Sequence, residues 1–177
     1  MIKAILSSSV IVSVLLFIQT TWLRNGLIAS VIPDFALLVI IWVAYKNERS
    51  IGSITAFVSG TVCDILSSAP LGYFSFLYVL PAYIISLLNR LISMDSIFVP
   101  FLMGFLATVL KALGSVALSM LFGPSVLNAY SFADAHLWIE AALNGVLAPP
   151  IYLLLNKTGN FLIAMQKPSD KLGSKKR

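Results

Sequence analysis

Residues 97–122 have the sequence IFVPFLMGFLATVLKALGSVALSMLF, an apolar run that contains one ionisable side chain, Lys111. A helix needs about 20 residues to cross about 30 Å of hydrocarbon, so this run is long enough to span a membrane. Similar runs recur along the chain. Together they predict six spans: Ala4–Leu23, Leu27–Tyr45, Ile51–Leu66, Leu71–Leu88, Ile97–Phe122 and Leu137–Leu155. The third is short, and we expect it to thin the bilayer or to extend into its polar flanks.

The composition is typical of a protein whose solvent is lipid. Apolar residues make up 59% of the 177 residues, charged residues make up 11%, and the mean hydropathy is +0.95. A soluble domain would carry about a quarter charged residues. We predict an all-α polytopic membrane protein, with a single transmembrane domain over residues 1–166 and a basic cytoplasmic tail over residues 167–177. The first run is not expected to be a signal peptide, because no small-x-small cleavage site follows it.

The basic residues predict the orientation of the spans. All of the 12 lysines and arginines except Arg24 and Lys111 lie before the first span, after the sixth, or in connections on the same side as the termini. Basic residues are enriched in cytoplasmic loops. Both termini are therefore expected in the cytoplasm.

Two ionisable residues of the second and fifth spans are candidates for a buried site, because charge inside a membrane usually faces the protein interior. Asp34 follows Pro33, where a carboxylate would also meet the positive end of the helix dipole. Lys111 shares a helix face with Gly104 and Thr108. It is either paired inside the bundle or extended along a lipid-facing surface.

Asp64 ends a stripe of small residues in the third span. Gly52, Ala56 and Gly60 precede it at four-residue spacing. Small residues at this spacing let helices approach closely in lipid, and the same role is predicted for Gly104 in the fifth span. Asp64 either shares this buried face, lies at the headgroup level, or caps the turn that follows.

Glu140 opens the sixth span one helical turn before Asn144, and Pro149-Pro150 is expected to kink or interrupt the helix. Glu140 is either interfacial or buried. The predicted topology places all the carboxylates of the spans in the outer half of the membrane, within reach of Lys111. We therefore predict a polar cluster there: Asp34, Asp64, Lys111, Glu140 and Asn144. Whether it serves packing, a ligand or a partner is left open by the spacing.

Motifs for catalysis or nucleic-acid binding are absent from the sequence. It carries no H-E-x-x-H, nucleophile elbow or phosphate-binding loop, and no basic stripe interleaved with aromatics. The one histidine, His136, lies beside a span, and the one cysteine, Cys63, cannot form an intrachain disulfide. We expect no enzymatic activity, no cofactor, no metal and no nucleic-acid partner.

Three short motifs follow one another in the first half of the chain. They are Pro33-Asp34 opening a span, a helix with Gly52 and Gly60 that ends at Asp64, and the turn Pro70-Leu71-Gly72. Their order and spacing, over about residues 30–90, resemble the core of the bacterial rod shape-determining MreD family. Asp34, Gly60, Asp64 and Gly72 match motif positions, whereas Lys111 and Glu140 rest on their own placement.

The resemblance implies a non-enzymatic subunit of the cell-elongation machinery in the bacterial cytoplasmic membrane. It implies an MreC-like partner with one span and a large periplasmic domain. Through that partner it implies links to a RodA-type polymerase, a class B penicillin-binding protein and actin-like MreB filaments. It also implies a six-helix fold similar to the S-components of energy-coupling-factor transporters, although a shared fold does not give function.

A second hypothesis is that the chain is such an S-component and binds a vitamin-like small molecule. The outer polar cluster would then line an enclosed pocket between helices. S-components usually present small-residue patches on the first span for coupling to an ATPase module, and this span carries Ser7, Ser8, Ser9 and Ser13. The first hypothesis is therefore favoured. Both hypotheses leave open which face of the bundle contacts a partner and whether the chain self-associates.

Overall fold

The computed structural model describes residues 31–47, 49–67, 69–88, 97–123 and 130–166, with side chains described up to Lys157. These ranges form five α-helices: α1 (Phe35–Lys46), α2 (Arg49–Leu66), α3 (Tyr73–Leu88), α4 (Phe98–Phe122) and α5 (Ala135–Gln166). They correspond to the second to sixth predicted spans, and the all-α prediction is confirmed for the described chain. The predicted first span Ala4–Leu23, with its serines, Arg24 and the tail 167–177 lie outside the described residues.

Helix α1 lies at the centre of the bundle and contacts each of the other four helices. Eight of its 12 residues are buried, including the run from Leu37 to Ile41. A helix that is apolar all round belongs in an interior, which explains this position. Because its neighbours surround it, α1 does not have to be long enough to cover the hydrocarbon by itself.

Helices α4 and α5 pack antiparallel. Residues later in α4 contact residues earlier in α5. A Cβ atom on Gly104 would lie 2.7 Å from the Asn144 carbonyl oxygen, whereas Lys111, two turns later, contacts Glu140. The close approach at Gly104 explains why this position needs the smallest residue.

Helix α2 makes equally close approaches to both of its neighbours. A Cβ atom on Gly52 would lie 2.7 Å from the Ala44 Cα atom of α1. A Cβ atom on Gly60 would collide with the backbone of Ser75 at the start of α3. Ala56, between the two glycines, is completely buried. The small residues Gly52, Ala56 and Gly60 therefore allow the backbone of α2 to contact the backbones of α1 and α3.

The bundle carries polar groups inside and large apolar side chains outside. Thr55, Ser59 and Thr108 are fully buried, whereas Phe57 is 58% exposed and Leu154 is 63% exposed. The interior therefore holds polar as well as apolar side chains, and the many large apolar side chains on the outside are typical of a surface that faces lipid. Helix α4, and α5 over Ala135–Lys157, are long and apolar enough to cross a membrane, while α1 and α3 are shorter apolar helices.

The helices differ from the predicted spans in two places. Residues 31–34 are not helical, so α1 begins at Phe35 rather than at Leu27. The helix that contains Pro149-Pro150 is not interrupted, and α5 continues to Gln166. Proline removes one backbone donor, but a helix packed against neighbours in a membrane tolerates that loss.

Candidate functional site

Asp34 occupies the N-cap of α1 and is the first member of a buried site. Its Oδ1 atom accepts the Leu37 backbone N–H over 3.0 Å, which satisfies one of the free donors at the helix N-terminus. The residue is only 5% exposed. The local sequence explains the position, because Pro33 cannot extend a helix towards the N-terminus and aspartate is a favoured N-cap.

Lys111, in the middle of α4, pairs with two carboxylates at once. Its Nζ atom lies 2.9 Å from Asp34 Oδ2 and 2.7 Å from Glu140 Oε1, on α1 and α5 respectively. All three side chains are less than a tenth exposed. We call Asp34, Lys111 and Glu140 the charge cluster. It joins three helices that are distant in sequence, and it leaves none of its three charges unpaired.

The surplus negative charge of the cluster is balanced by hydrogen bonds. Tyr78 of α3 donates to Asp34 over 3.3 Å, and Tyr130, which precedes α5, donates to Glu140 Oε2 over 2.9 Å. The Tyr130 ring also lies 5.4 Å from Lys111 Nζ. Hydrogen bonds to ionised groups are stronger than those between neutral ones, so these hydroxyls offset part of the desolvation cost.

Asn144 connects the charge cluster to the close-packed part of the α4–α5 interface. Its Oδ1 atom accepts the Asp34 backbone N–H over 2.9 Å, and its Nδ2 atom donates to Thr108 Oγ1 over 2.9 Å. Thr108 in turn donates to the Gly104 carbonyl oxygen over 3.0 Å. The side-chain amide is therefore satisfied by two other helices, as a buried polar group requires.

The structure does not place Asp64 in this cluster, which corrects the predicted grouping. The Asp64 carboxylate accepts the backbone N–H groups of Gly72 over 2.9 Å and Phe74 over 2.7 Å. It also accepts both the N–H and the hydroxyl of Ser75. A carboxylate at a helix N-terminus meets the free donors and the positive end of the dipole. Asp64 therefore caps α3 from the end of α2.

A family model described as rod shape-determining protein MreD matches residues 2–158. The chain belongs to the MreD family. This confirms the resemblance of the motifs, and it extends over the predicted spans on both sides of them. No curated protein and no solved structure matches the chain in the corresponding comparisons. Together with the two long apolar helices, the family makes this chain a rod shape-determining membrane protein.

The residues that match MreD motif positions in the α2–α3 hairpin, Gly60, Asp64 and Gly72, determine the backbone geometry of that hairpin. Gly60 allows α2 to touch α3, and Asp64 holds the first turn of α3 in place. Gly72 has a φ angle of +96°, a conformation that favours glycine, and it shapes the turn that starts after Pro70. The Pro70 carbonyl oxygen accepts the Tyr73 N–H over 3.1 Å. This part of the family pattern is therefore explained by the geometry of one helix hairpin.

Three polar contacts of the site were not predicted from the sequence. Tyr78 lies on an apolar helix, where its aromatic ring looks like an ordinary core residue. Tyr130 lies in a connection, and nothing in its local pattern points to Glu140. Ser75 contacts Asp64 only because the hairpin brings α2 and α3 together. In each case the partner is set by tertiary packing.

A cavity of about 290 Å³ lies apart from the charge cluster. Its lining is mostly apolar and comes from the start of α3 and the end of α4: Pro70, Leu71, Gly72, Tyr73, Phe76, Leu118 and Phe122. None of these side chains carries a charge. The cavity is therefore not the polar ligand pocket that the S-component hypothesis predicted around the four ionisable residues.

Every charged group of the cluster has its partners inside the bundle. Among the described residues, no three side chains of histidine, cysteine, aspartate or glutamate are placed to hold a metal ion. Both carboxylates of the cluster already have a cation and a hydroxyl as partners. His136 lies away from the cluster at the exposed start of α5, where its backbone N–H donates to Asp134 over 3.1 Å.

Proposed function

We propose that the chain is a non-enzymatic subunit of the bacterial cell-elongation machinery that supports peptidoglycan synthesis and the control of cell shape. The observation that carries this proposal is the family match over residues 2–158. The internal pairing of the buried charges supports the non-enzymatic part, because it uses up the groups that could otherwise react or bind.

The same proposal includes six transmembrane helices in a single domain over residues 1–166, in the cytoplasmic membrane, with a fold similar to that of S-components. The described helices are consistent with this topology. Asp34, Asp64 and Glu140 belong to one end of the bundle. Lys46 ends α1, and Lys157 ends the part of α5 that is long and apolar enough to cross a membrane. Basic residues favour the cytoplasmic side, so both termini and the tail 167–177 would be cytoplasmic.

The proposed partners are an MreC-like protein with one transmembrane helix and, through it, a RodA-type polymerase, a class B penicillin-binding protein and MreB. Helix association in a membrane depends on van der Waals packing between complementary surfaces. The described chain offers apolar outward faces on α2, α4 and α5, exemplified by Phe57, Leu113 and Val146. We propose that the partner helix packs on such a face.

The alternative function, a vitamin-like ligand bound as in a transporter S-component, is favoured by one observation. The charge cluster holds two carboxylates and one ammonium group, and such a surplus could select a cationic ligand. Against it, the two carboxylates are already occupied by Tyr78 and Tyr130 as well as by Lys111.

Depletion of the protein's counterpart in a rod-shaped bacterium, with this chain supplied from a plasmid, tests the proposal. We expect the cells to lose the rod shape and become round, and we expect plasmid-borne wild-type protein to restore it. His136→Ala, a change at an exposed histidine, should restore it equally, because no catalytic histidine is involved. Cell width and length by microscopy are the readout.

The opposite outcome of this depletion experiment is equally specific. Cells that remain rods but grow only with a raised external supply of a vitamin would contradict the elongation function. That result would support the transporter hypothesis instead.

A further inference from the structure

Tyr130 covers one side of the charge cluster from outside the helices. Its hydroxyl donates to Glu140 Oε2 over 2.9 Å, and its backbone N–H donates to Ser115 Oγ over a longer 3.4 Å. Asp34, Lys111, Glu140 and Tyr78, by contrast, are fixed on helices or at a helix N-cap. The contact from Tyr130 is therefore held less firmly than the others.

The Tyr130 contact can be broken without leaving any charge unpaired. Glu140 uses Oε1 for Lys111, 2.7 Å away, and Oε2 for Tyr130. If Tyr130 moves away, the ion pair remains and Oε2 exchanges a phenol hydroxyl for water. An opening of this kind costs the hydrogen bonds of Tyr130 to Glu140 and Ser115 and its ring contact with Lys111. Moving Lys111 would instead leave two buried carboxylates without a counter-charge.

The residues next to Tyr130 are suited to local opening. Residues 131–134 are all exposed and are joined to the bundle through Trp138, whose Nε1 donates to the Phe132 carbonyl oxygen over 3.0 Å. Exposed segments with few buried contacts open at much lower free energy than packed helices. The described helices around the cluster can therefore stay packed while this segment moves.

We infer that Tyr130 is a releasable latch on the charge cluster. Closed, it keeps water from Glu140. Open, it exposes the Glu140 carboxylate at this end of the bundle, while the ion pairs to Lys111 persist. The latch goes beyond the proposed function, since it rests on the geometry of this chain alone and holds whichever partner the chain has.

The donor side of the latch does not change its protonation at ordinary pH. Burial raises the pKa of Tyr130 to about 12, so the hydroxyl keeps its proton and remains a donor across the physiological range. Another molecule that binds the exposed residues 131–134 would open the latch.

Carboxylate labelling of the full chain in mild detergent tests the latch. A water-soluble carbodiimide with a small amine converts accessible carboxylates into amides, which mass spectrometry locates by residue. In the wild type we expect slow labelling of Glu140 and none of Asp64, which has four hydrogen-bond donors around it. Tyr130→Phe keeps the ring but removes the hydroxyl, and should raise Glu140 labelling roughly tenfold or more, the equivalent of one charge-assisted hydrogen bond.

Two comparisons make this labelling test decisive. Phe132→Leu changes an exposed aromatic residue in the same segment and should leave the labelling of Glu140 unchanged. Asp64 reports on unfolding, and it should remain unlabelled in Tyr130→Phe. Equal Glu140 labelling in the wild type and Tyr130→Phe would overturn the latch. A joint rise of Asp64 and Glu140 would also overturn it, because Tyr130 would then be a structural member of the bundle.

Discussion

Lys111→Met is expected to destabilise the protein by about 3–5 kcal/mol, the usual cost of removing one partner from a buried ion pair. Methionine has a similar length and is compatible with a helix, so the change removes charge rather than volume. It leaves Asp34 and Glu140 close to each other, buried and without a counter-charge. Native stabilities are about 5–15 kcal/mol, so a loss of this size is a large fraction of the total.

The measurement is the thermal unfolding of the purified protein in mild detergent, with the amount of protein in the membrane as a second readout. Lys157→Met is the matched control, because Lys157 is an exposed lysine near the other end of α5. It should unfold at the wild-type temperature. If Lys111→Met also unfolds at the wild-type temperature, the charge cluster does not stabilise the bundle.

A rescue experiment distinguishes a packing role of these charges from a chemical one. The triple variant Asp34→Asn, Lys111→Met and Glu140→Gln removes all three charges and keeps their approximate shapes. Replacing a whole buried ion-pair group by well-packed apolar residues of similar volume is often neutral or stabilising. In this variant the amide oxygens of Asn and Gln keep an acceptor for the Leu37 N–H and the Tyr130 hydroxyl. We therefore expect the triple variant to recover most of the stability lost in Lys111→Met, and to restore the rod shape of depleted cells. A stable triple variant that fails to restore shape would show that the charges themselves have a function.

Gly60→Ala is expected to destabilise the α2–α3 hairpin, although alanine normally favours a helix over glycine by about 1 kcal/mol. The added Cβ atom would lie 2.6 Å from the Ser75 backbone nitrogen and 2.8 Å from the Phe74 carbonyl carbon. These are backbone atoms that Asp64 holds in place, so they cannot rotate away. Overpacking of this kind costs about 1–3 kcal/mol, and Gly60→Leu should cost more.

Gly114→Ala is the matched control for Gly60→Ala. It makes the same chemical change in the middle of a helix, but its Cβ atom would meet the Leu77 Cδ2 atom at 3.1 Å, which is the end of a flexible side chain. We expect it to be close to neutral in thermal unfolding. Wild-type stability and wild-type partner recovery from Gly60→Leu would contradict the role assigned to this stripe.

The positions of α4 and α5 could be predicted from the sequence because apolar length alone identifies a helix in lipid. Helices α2 and α3 also match predicted spans, although neither meets that criterion by itself. The length of α5 could not be predicted, because the predicted span ended at Leu155, before the polar residues Asn156 and Lys157. Within that span, Pro149-Pro150 was expected to kink or interrupt the helix. Its neighbours Ala148 and Tyr152 stay buried in the core, and this packing overrides the local preference. The start of α1 at Phe35 follows from the N-cap geometry of Asp34, which hydropathy does not detect.

The charge cluster was only partly predictable for a related reason. The spacing of Gly104, Thr108 and Lys111 identifies one face of one helix, but not the helices that this face meets. Glu140 and Asp34 were predicted to lie in the outer half of the membrane, within reach of Lys111. Asp64 was included in the predicted cluster on the same argument from depth in the membrane. Depth carries no information about rotation of a helix about its axis. Rotation directs Asp64 towards α3 and away from Lys111.

We propose that this chain works as a membrane-embedded scaffold of the rod-shape machinery. The most direct measurement is affinity purification of the tagged wild-type protein from its native membrane in mild detergent, followed by mass spectrometry of the recovered proteins. The account predicts an MreC-like protein with a single span, together with the peptidoglycan synthases. Recovery of a pair of ATPases and a coupling subunit in their place would contradict it, and would identify the chain as a transporter's binding component.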